Sequence, residues 1–170
     1  MASDAKKILL VEDEKAIRDA VAAYLEREGY WVVGVGDGQS AIEEFEKLIN
    51  DRTRGILICN PNNPTGYLYT RREMNRIRDM VKKYDLFLFS DEVYREFIYT
   101  GSPYISACHL EGIEQNVVLI DSVSKRYSEC GIRIGALITK NRKLRNAVMK
   151  FCQARLSPPL LGQIVAEASI

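Results

Sequence analysis

The sequence is poor in histidine and tryptophan, with one residue of each among 170. A single histidine, His109, excludes a metal site built from several histidines and leaves few ways to build a histidine-based triad. The four cysteines are widely spaced, with neither the paired spacing of metal ligands nor a short disulfide framework. We expect free thiols, mostly buried, at Cys59, Cys108, Cys130 and Cys152.

The chain also lacks an excess of charge of either sign. Its 24 basic and 23 acidic residues give a net charge of +1, so the composition predicts neither a nucleic acid nor an anionic membrane as a partner. No apolar run approaches the roughly 20 residues that a membrane helix needs, and "MASDAKK" leads directly into a strand pattern rather than a signal peptide. We therefore expect a cytoplasmic protein.

What the sequence does contain is a regular alternation of strand-like and helix-like segments. Short apolar runs such as "KILLV" and "GILIC" alternate with segments whose apolar residues recur at helical spacing. Thr70 with Glu73 forms a capping-box pattern that predicts the start of one of these helices. Continuous apolar strands with covering helices indicate a mostly parallel sheet buried on both faces, with its ligand site at the carboxyl ends of the strands.

These segments predict an α/β fold with a doubly wound, flavodoxin-like, mostly parallel sheet of strand order 2-1-3-4-5. A sixth strand, "GALIT", is expected to lie antiparallel at the edge beside strand five, because the link from Val123 to Ile134 is too short for a helical crossover. Two helices, at about 143–153 and 160–169, follow. No linker rich in glycine, serine or proline interrupts the chain near 49–54, so we expect one fused domain over residues 1–170.

Residues 6–48 resemble the first half of a bacterial response-regulator receiver domain of the CheY type. The resemblance rests on the acidic pair Glu12 and Asp13, on the "EGY" turn and on "GDG" before the second helix. Glu12 and Asp13 are weak candidates for binding a magnesium ion. The next strand ends at Asn60, whose amide is no phosphate acceptor, although Ser90 could stand in for that family's small hydroxyl residue.

Three motifs between about residue 53 and residue 170 resemble another family, the fold-type I pyridoxal-phosphate enzymes, specifically class I/II aminotransferases. "NPNNPTG" (60–66), "SDEVY" (90–94) and "SVSKRYSECGIRIG" (122–135) occur in that family's order and spacing. The resemblance implies that Lys125 is the catalytic residue, forming the Schiff base with the cofactor aldehyde. The cofactor-binding residues that it implies are Asp91 at the pyridinium nitrogen, Asn63 and Tyr94 at the phenolic oxygen, and Ser122, Arg133 and Ser124 at the phosphate.

The residue types suit this chemistry, but each also has an ordinary interpretation. A lysine amine captures a carbonyl, a carboxylate keeps a ring nitrogen protonated, and a guanidinium matches a phosphate with paired donors. Lys125 could equally be a solvated charge, Asp91 and Glu92 could be acids at a helix N-terminus, and residues 63–66 form a good turn sequence.

The two resemblances together predict an engineered chimera with no natural physiological function. Residues 1–50 would be its receiver-like half, and residues 51–170 an aminotransferase-like half with a remnant pyridoxal-phosphate site. Aminotransferases of this family are more than twice as long, so we expect little turnover, weak or absent cofactor binding and a colourless protein. The first alternative is a functional pyridoxal-phosphate-binding enzyme that uses Lys125. The second is a receiver-like metal-binding or phosphorylation module without its acceptor aspartate.

The last two predicted helices suggest a partner. In the family that the chain resembles, these helices pack against elements that this sequence does not contain. An apolar face left uncovered favours association with a second copy. We therefore expect a homodimer through the C-terminal helices, with an interface that includes Val148, Phe151, Leu160, Leu161 and Ile164.

Overall fold

The computed structural model describes residues 7–12, 14–36 and 38–170. The backbone divides into two compact units, Met1–Thr53 and Arg54–Ile170. The boundary between the units falls within the stretch 49–54, where the sequence passes from helix to strand without a linker. The single fused domain stays a prediction.

The first unit is a small β-α-β-α arrangement. Its two strands pair in parallel along their whole length, and each is followed by a helix. Gly29 adopts the left-handed conformation, with φ of 87°, where the chain turns from the first helix toward the second strand. The elements are β1 (Lys7–Val11), α1 (Lys15–Arg27), β2 (Trp31–Val35) and α2 (Gly38–Leu48).

The second unit has a four-stranded sheet in the order β3-β4-β5-β6. The first three strands are parallel, and β6 runs antiparallel to β5, as the short link between these strands requires. Short 3-10 turns form at Ala107–His109 and at Cys130–Ile132. The elements are β3 (Gly55–Cys59), α3 (Arg71–Tyr84), β4 (Phe87–Asp91), β5 (Val117–Ser122), α4 (Val123–Arg126), β6 (Gly135–Ile138), α5 (Arg142–Ala154) and α6 (Leu160–Ala168).

The predicted strand order is reproduced within each of the two sheets. Among the described residues, strand pairing gives a two-stranded sheet, β1-β2, and a four-stranded sheet, β3-β4-β5-β6. A continuous flavodoxin-like order of 2-1-3-4-5 stays a prediction. A mixed, mostly parallel α/β architecture is confirmed, whereas the flavodoxin-like order is not.

The core of the second unit includes one face of β3 and β4 and the apolar stripe of α3. Ile56, Ile58 and Leu88 are buried from the strands, and Met74 and Val81 are buried from the helix. Because side chains alternate across a strand, Leu57 points to the opposite face, where it is 73% exposed. Burial of the sheet on both faces was therefore a wrong prediction at this position.

The capping box at the start of α3 is confirmed. The Thr70 hydroxyl accepts a hydrogen bond from the Glu73 amide at 3.3 Å, and the Glu73 carboxylate accepts from the Thr70 amide at 2.7 Å. The Tyr67 hydroxyl also donates to Glu73, at 2.5 Å. Burial raises the pKa of Glu73, but the hydrogen bonds from Tyr67 and Thr70 outweigh burial and lower this pKa overall. These bonds attach the loop that follows "NPNNPTG" to the helix.

The cysteines are free thiols, but most of them are not buried. Cys59, at the end of β3, is half-buried, and burial raises the pKa of its thiol. Cys108 and Cys130 lie in the 3-10 turns, and Cys152 lies on α5, where most side chains face solvent. The prediction of mostly buried thiols is wrong because these three positions lie outside the packed strands.

Within the described ranges, no helix combines the length and the apolar character that crossing a membrane would require.

Candidate functional site

The three sequence motifs meet at the carboxyl ends of β3, β4 and β5. In the sheet, Cys59 at the end of β3 lies opposite Asp91 at the end of β4, and Asp91 lies opposite Ile120. The Asn60 amide donates to the Asp91 carbonyl at 2.9 Å, and the Glu92 amide donates to the Ile120 carbonyl at 3.0 Å. The loops that leave these strands are therefore held side by side at one edge of the sheet.

A contact between side chains of all three motifs lies at this edge. The Asn63 side-chain amide donates a hydrogen bond to the Tyr94 hydroxyl oxygen at 3.0 Å, across 31 positions of sequence. The Lys125 Nζ lies 5.8 Å from the centroid of the Tyr94 ring, within the range of a cation–π contact. The lysine is exposed and the tyrosine half-buried, so the amine remains accessible from solvent.

Asp91 places a carboxylate at the end of β4, three residues before Tyr94. Its Oδ1 accepts a hydrogen bond from the Val93 amide at 3.2 Å, which orients the side chain at the end of β4. The residues that follow Asp91 form a turn and not a helix. The interpretation of Asp91 and Glu92 as acids at a helix N-terminus is therefore wrong, because no helix begins there.

Two serine hydroxyls lie together at the end of β5. The Ser122 Oγ accepts a hydrogen bond from the Ser124 amide at 3.0 Å and lies 2.7 Å from the Ser124 Oγ. It also lies within hydrogen-bonding distance, 3.1 Å, of the Ile134 carbonyl oxygen, which brings the start of β6 to the same place. Arg133 is exposed, and its guanidinium donates to the Cys130 carbonyl at 2.7 Å. Ser122 therefore contacts Ile134, the residue after Arg133, whereas the Arg133 guanidinium bonds to Cys130.

A cavity of about 220 Å³ opens beside these hydroxyls. Its walls come from β5, α4, β6 and α6, and most of its lining side chains are apolar. The lining includes Asp121, Ser122, Arg126, Tyr127, Ile134 and Ala166. Ser122 therefore belongs both to the serine pair at the end of β5 and to the lining of this open cavity.

Glu92 is a site-supporting residue that sequence reasoning missed. It is fully buried, and its carboxylate accepts hydrogen bonds from the Ser90 hydroxyl at 2.9 Å, from the Ala107 amide at 2.8 Å, and from the Tyr104 hydroxyl. Burial and the hydrogen bond to Glu92 raise the pKa of Tyr104 above its ordinary value. The available signal was the alternation of β4, which places Glu92 on the same face as Leu88 and Ser90.

Asn60, like Glu92, is buried and has a structural role. Its side-chain amide donates to the Ile105 carbonyl at 3.2 Å, and its oxygen accepts from the Tyr69 amide at 3.1 Å. Burial raises the pKa of Tyr69 to about 12.

Ser90, the hydroxyl candidate of the receiver interpretation, is fully buried against Glu92 and is closed to a ligand. These contacts leave the receiver interpretation without an accessible hydroxyl at this strand end.

Of the two acidic residues proposed as metal ligands, the structure describes only Glu12. Glu12 accepts a hydrogen bond from the Glu14 amide at 3.1 Å, and Asp13 lies outside the described residues. In residues 7–12, 14–36 and 38–170, no cluster of three or more histidine, cysteine, aspartate or glutamate side chains could hold a metal ion. The metal site stays a prediction.

Known proteins resemble the chain well beyond its three motifs. The sequence profile of the family "Aminotransferase class I and II" matches residues 18–170. Aromatic-amino-acid aminotransferase 2 of Thermococcus litoralis is 35% identical over 97 residues, which cover 57% of this chain and 25% of that protein. The matched segments therefore span about a quarter to a third of the length of this and another curated relative.

Solved structures are also similar to the chain over most of its length. Aspartate aminotransferase from Thermotoga maritima is 26% identical, with a TM-score of 0.75, over 95% of this chain and 44% of that one. Cystalysin from Treponema denticola, whose crystal structure contains pyridoxal 5'-phosphate, is 23% identical with a TM-score of 0.72 over 93% of this chain and 42% of its own, which shows the fold alone.

These matches bear on the chimera inferred from the sequence. The family match begins at residue 18, inside the segment that resembles a receiver domain, and the aminotransferase structures cover nearly the whole chain. They support the first alternative, an aminotransferase-like enzyme, better than an engineered chimera. The chain belongs to the class I and II aminotransferase family.

Proposed function

We propose that this chain binds pyridoxal phosphate at the carboxyl ends of β3, β4 and β5 and acts in the transfer of amino groups. The observation that carries the proposal is the contact of three motifs, in which Asn63 bonds to Tyr94 and Lys125 lies beside the Tyr94 ring. An amide, a phenol and an amine from three loops far apart in sequence therefore lie together at one edge of the sheet.

The chemistry of the donor set fits this cofactor. Bound there, pyridoxal phosphate supplies an aldehyde that is open to attack by an amine and a ring that accepts electrons from a substrate. Lys125 would offer the primary amine, and the Asp91 carboxylate would favour a protonated ring nitrogen by providing the opposite charge. The hydroxyls of Ser122 and Ser124, with the guanidinium of Arg133, are donors suited to a phosphate group.

The hydrogen bond from Asn63 limits where the Tyr94 hydroxyl can donate its own proton. The Asn63 Nδ2 is a donor, so the Tyr94 oxygen accepts in their 3.0 Å hydrogen bond. The hydroxyl proton of Tyr94 is therefore left to point elsewhere, toward an acceptor such as a phenolate oxygen. Asn63 thus orients Tyr94 and adds a second amide proton at the same place.

The first test is covalent trapping of the amine. The chain is incubated with pyridoxal phosphate, reduced with borohydride and digested, and the labelled peptides are mapped. We expect the label to concentrate on Lys125 and to be lost in Lys125→Ala, whereas Lys150→Ala, which removes an exposed lysine on α5, keeps it. Label spread over many lysines and unchanged in Lys125→Ala would contradict the proposal. Titration of the same signal measures the affinity, for which weak binding stays the prediction from the sequence.

We also propose a homodimer formed through α5 and α6. Phe151 is 76% exposed and Leu161 is 77% exposed, and Leu160 and Ile164 add to the exposed apolar surface of these helices. Burying such a surface against a second copy would remove it from water, at roughly 25 cal/mol for each Å² of apolar area.

Light scattering across a range of concentrations tests this assembly. We expect a dimer whose fraction rises with concentration, and a shift to monomer in Leu161→Glu, because a buried carboxylate in the interface is costly. Tyr99→Glu is the matched control, since Tyr99 is equally exposed but lies outside α5 and α6. A wild-type monomer at every concentration would refute the dimer.

A further inference from the structure

Two ion pairs connect the segment that carries Tyr94 to the segment that carries Lys125. The Arg95 Nη2 lies 2.6 Å from the Asp121 Oδ2, and the Arg126 Nη2 lies 2.9 Å from the Glu96 Oε1. Arg95 and Glu96 directly follow Tyr94 in sequence, whereas Asp121 and Arg126 stand on either side of Lys125. We refer to these four residues as the paired clamp.

The first of the two pairs is the more enclosed. The side chains of Arg95 and Asp121 are only 23% and 19% exposed. The second oxygen of Asp121 accepts a hydrogen bond from the Ser122 amide at 2.8 Å, so this carboxylate contacts both segments. Burial lowers the pKa of Arg95, but the hydrogen bond and charge of Asp121 outweigh burial and raise this pKa overall.

The second ion pair is linked to the first by a contact between Arg95 and Glu96. The Arg95 Nε lies 3.8 Å from the Glu96 Oε1, the same oxygen that receives Arg126. The four charges therefore alternate in sign from Asp121 through Arg95 and Glu96 to Arg126. Such a network holds its members at a lower entropic cost than separate pairs, because each side chain is already restrained by another.

We propose that the paired clamp is a set of positioning residues that hold Lys125 beside Tyr94. Lys125 lies on α4, which has four residues, and a helix of one turn is unstable by itself. Its position must therefore come from tertiary contacts, and the clamp supplies one on each side of the lysine. The consequence for cofactor capture rests on the proposed function, whereas the positioning of the amine does not.

Charge-removing variants test the clamp with little change of shape. Asp121→Asn keeps an oxygen for the Ser122 amide but loses the charge that attracts Arg95. Glu96→Gln likewise loses the charge that attracts Arg126. We expect each to slow labelling of Lys125 by pyridoxal phosphate and borohydride by about threefold to fivefold, and the double variant to slow it further. Arg78→Gln is the matched control, because it removes the ion pair with Asp79 on α3, and it should leave labelling unchanged.

A charge swap separates positioning from a merely structural role. Glu96→Arg and Arg126→Glu each place like charges together, whereas the double swap restores this pair but sets a second arginine beside Arg95, so we expect it to recover part of the lost labelling. Labelling that stays constant in all these variants, or single losses that the swap does not rescue, would overturn the clamp. If Asp121→Asn fails to fold, as judged by circular dichroism, the swap series carries the test.

A second measurement uses the chain without any cofactor. Acetic anhydride is applied in trace amount, and acetylation of Lys125 is compared with that of the exposed Lys150 in the same sample. We expect the clamp variants to change this ratio, with partial recovery in the swap. If wild-type Lys125 takes no label from pyridoxal phosphate, the proposed function fails while the acetylation ratio still decides the clamp. An acetylation ratio unaffected by all clamp variants would refute the positioning role of the paired clamp.

Discussion

Replacing Glu92 with alanine is expected to lower the free energy of unfolding by about 3–5 kcal/mol, because the donors that bind its carboxylate lose their acceptor. The substitution leaves the Ser90 hydroxyl, the Tyr104 hydroxyl and the Ala107 amide buried or part-buried without their acceptor. Leaving each such donor unsatisfied costs about 1–3 kcal/mol. Urea denaturation followed by circular dichroism measures the change, with the slope of the transition checked for constancy.

Glu92→Gln is the matched variant for this prediction. The glutamine oxygen can still accept from the Ala107 amide and from one hydroxyl, so we expect less than half the loss seen with alanine. An alanine variant within about 1 kcal/mol of wild type would show that water replaces the carboxylate and that the network contributes little.

The effect reaches the candidate site because of where Glu92 stands. It lies between Asp91 and Tyr94, and it attaches the segment 104–107 beneath the turn that carries both. Reduced order in that turn would also weaken the Asn63 to Tyr94 hydrogen bond. Stability and site geometry are therefore coupled through one buried side chain.

Local patterns in the sequence were sufficient for most of the elements and for the meeting of the three motifs at one edge of the sheet. Thr70 and Glu73 lie three residues apart, and this spacing alone predicts the start of α3 that the structure has. The short link before β6 likewise limited its direction to antiparallel. The meeting of three motifs at one edge follows from parallel pairing, because parallel strands end on the same side.

What the sequence could not predict depends on partners that lie far apart along the chain. Arg95 and Asp121 are 26 positions apart, and nothing in either neighbourhood indicates the other. The exposure of Leu57 was equally hidden, because an apolar strand reads the same whether one or both of its faces are covered.

The receiver resemblance has a related cause. An acidic residue after a first strand and a glycine before the second strand suit any parallel β-α-β unit, because the helix needs a favourable start and the turn needs a left-handed residue. Gly29 fulfils the second requirement here. Such features report the local architecture and do not distinguish one α/β family from another.

Leu88→Ala is expected to lower the free energy of unfolding by about 3 kcal/mol, within the range for a leucine removed from a tightly packed core. Leu88 is fully buried on β4, between Ile56 of β3 and Val117 of β5 in the sheet register. Leu57→Ala is the control, because the same atoms are removed from a side chain that is 73% exposed, and we expect a loss below about 1 kcal/mol. Paired urea denaturation curves measure both, and equal losses would mean that the outer face of β3 is covered in solution. Lys125 labelling of folded Leu88→Ala should stay near wild type, since Asp91 keeps its backbone pairing at the end of the same strand.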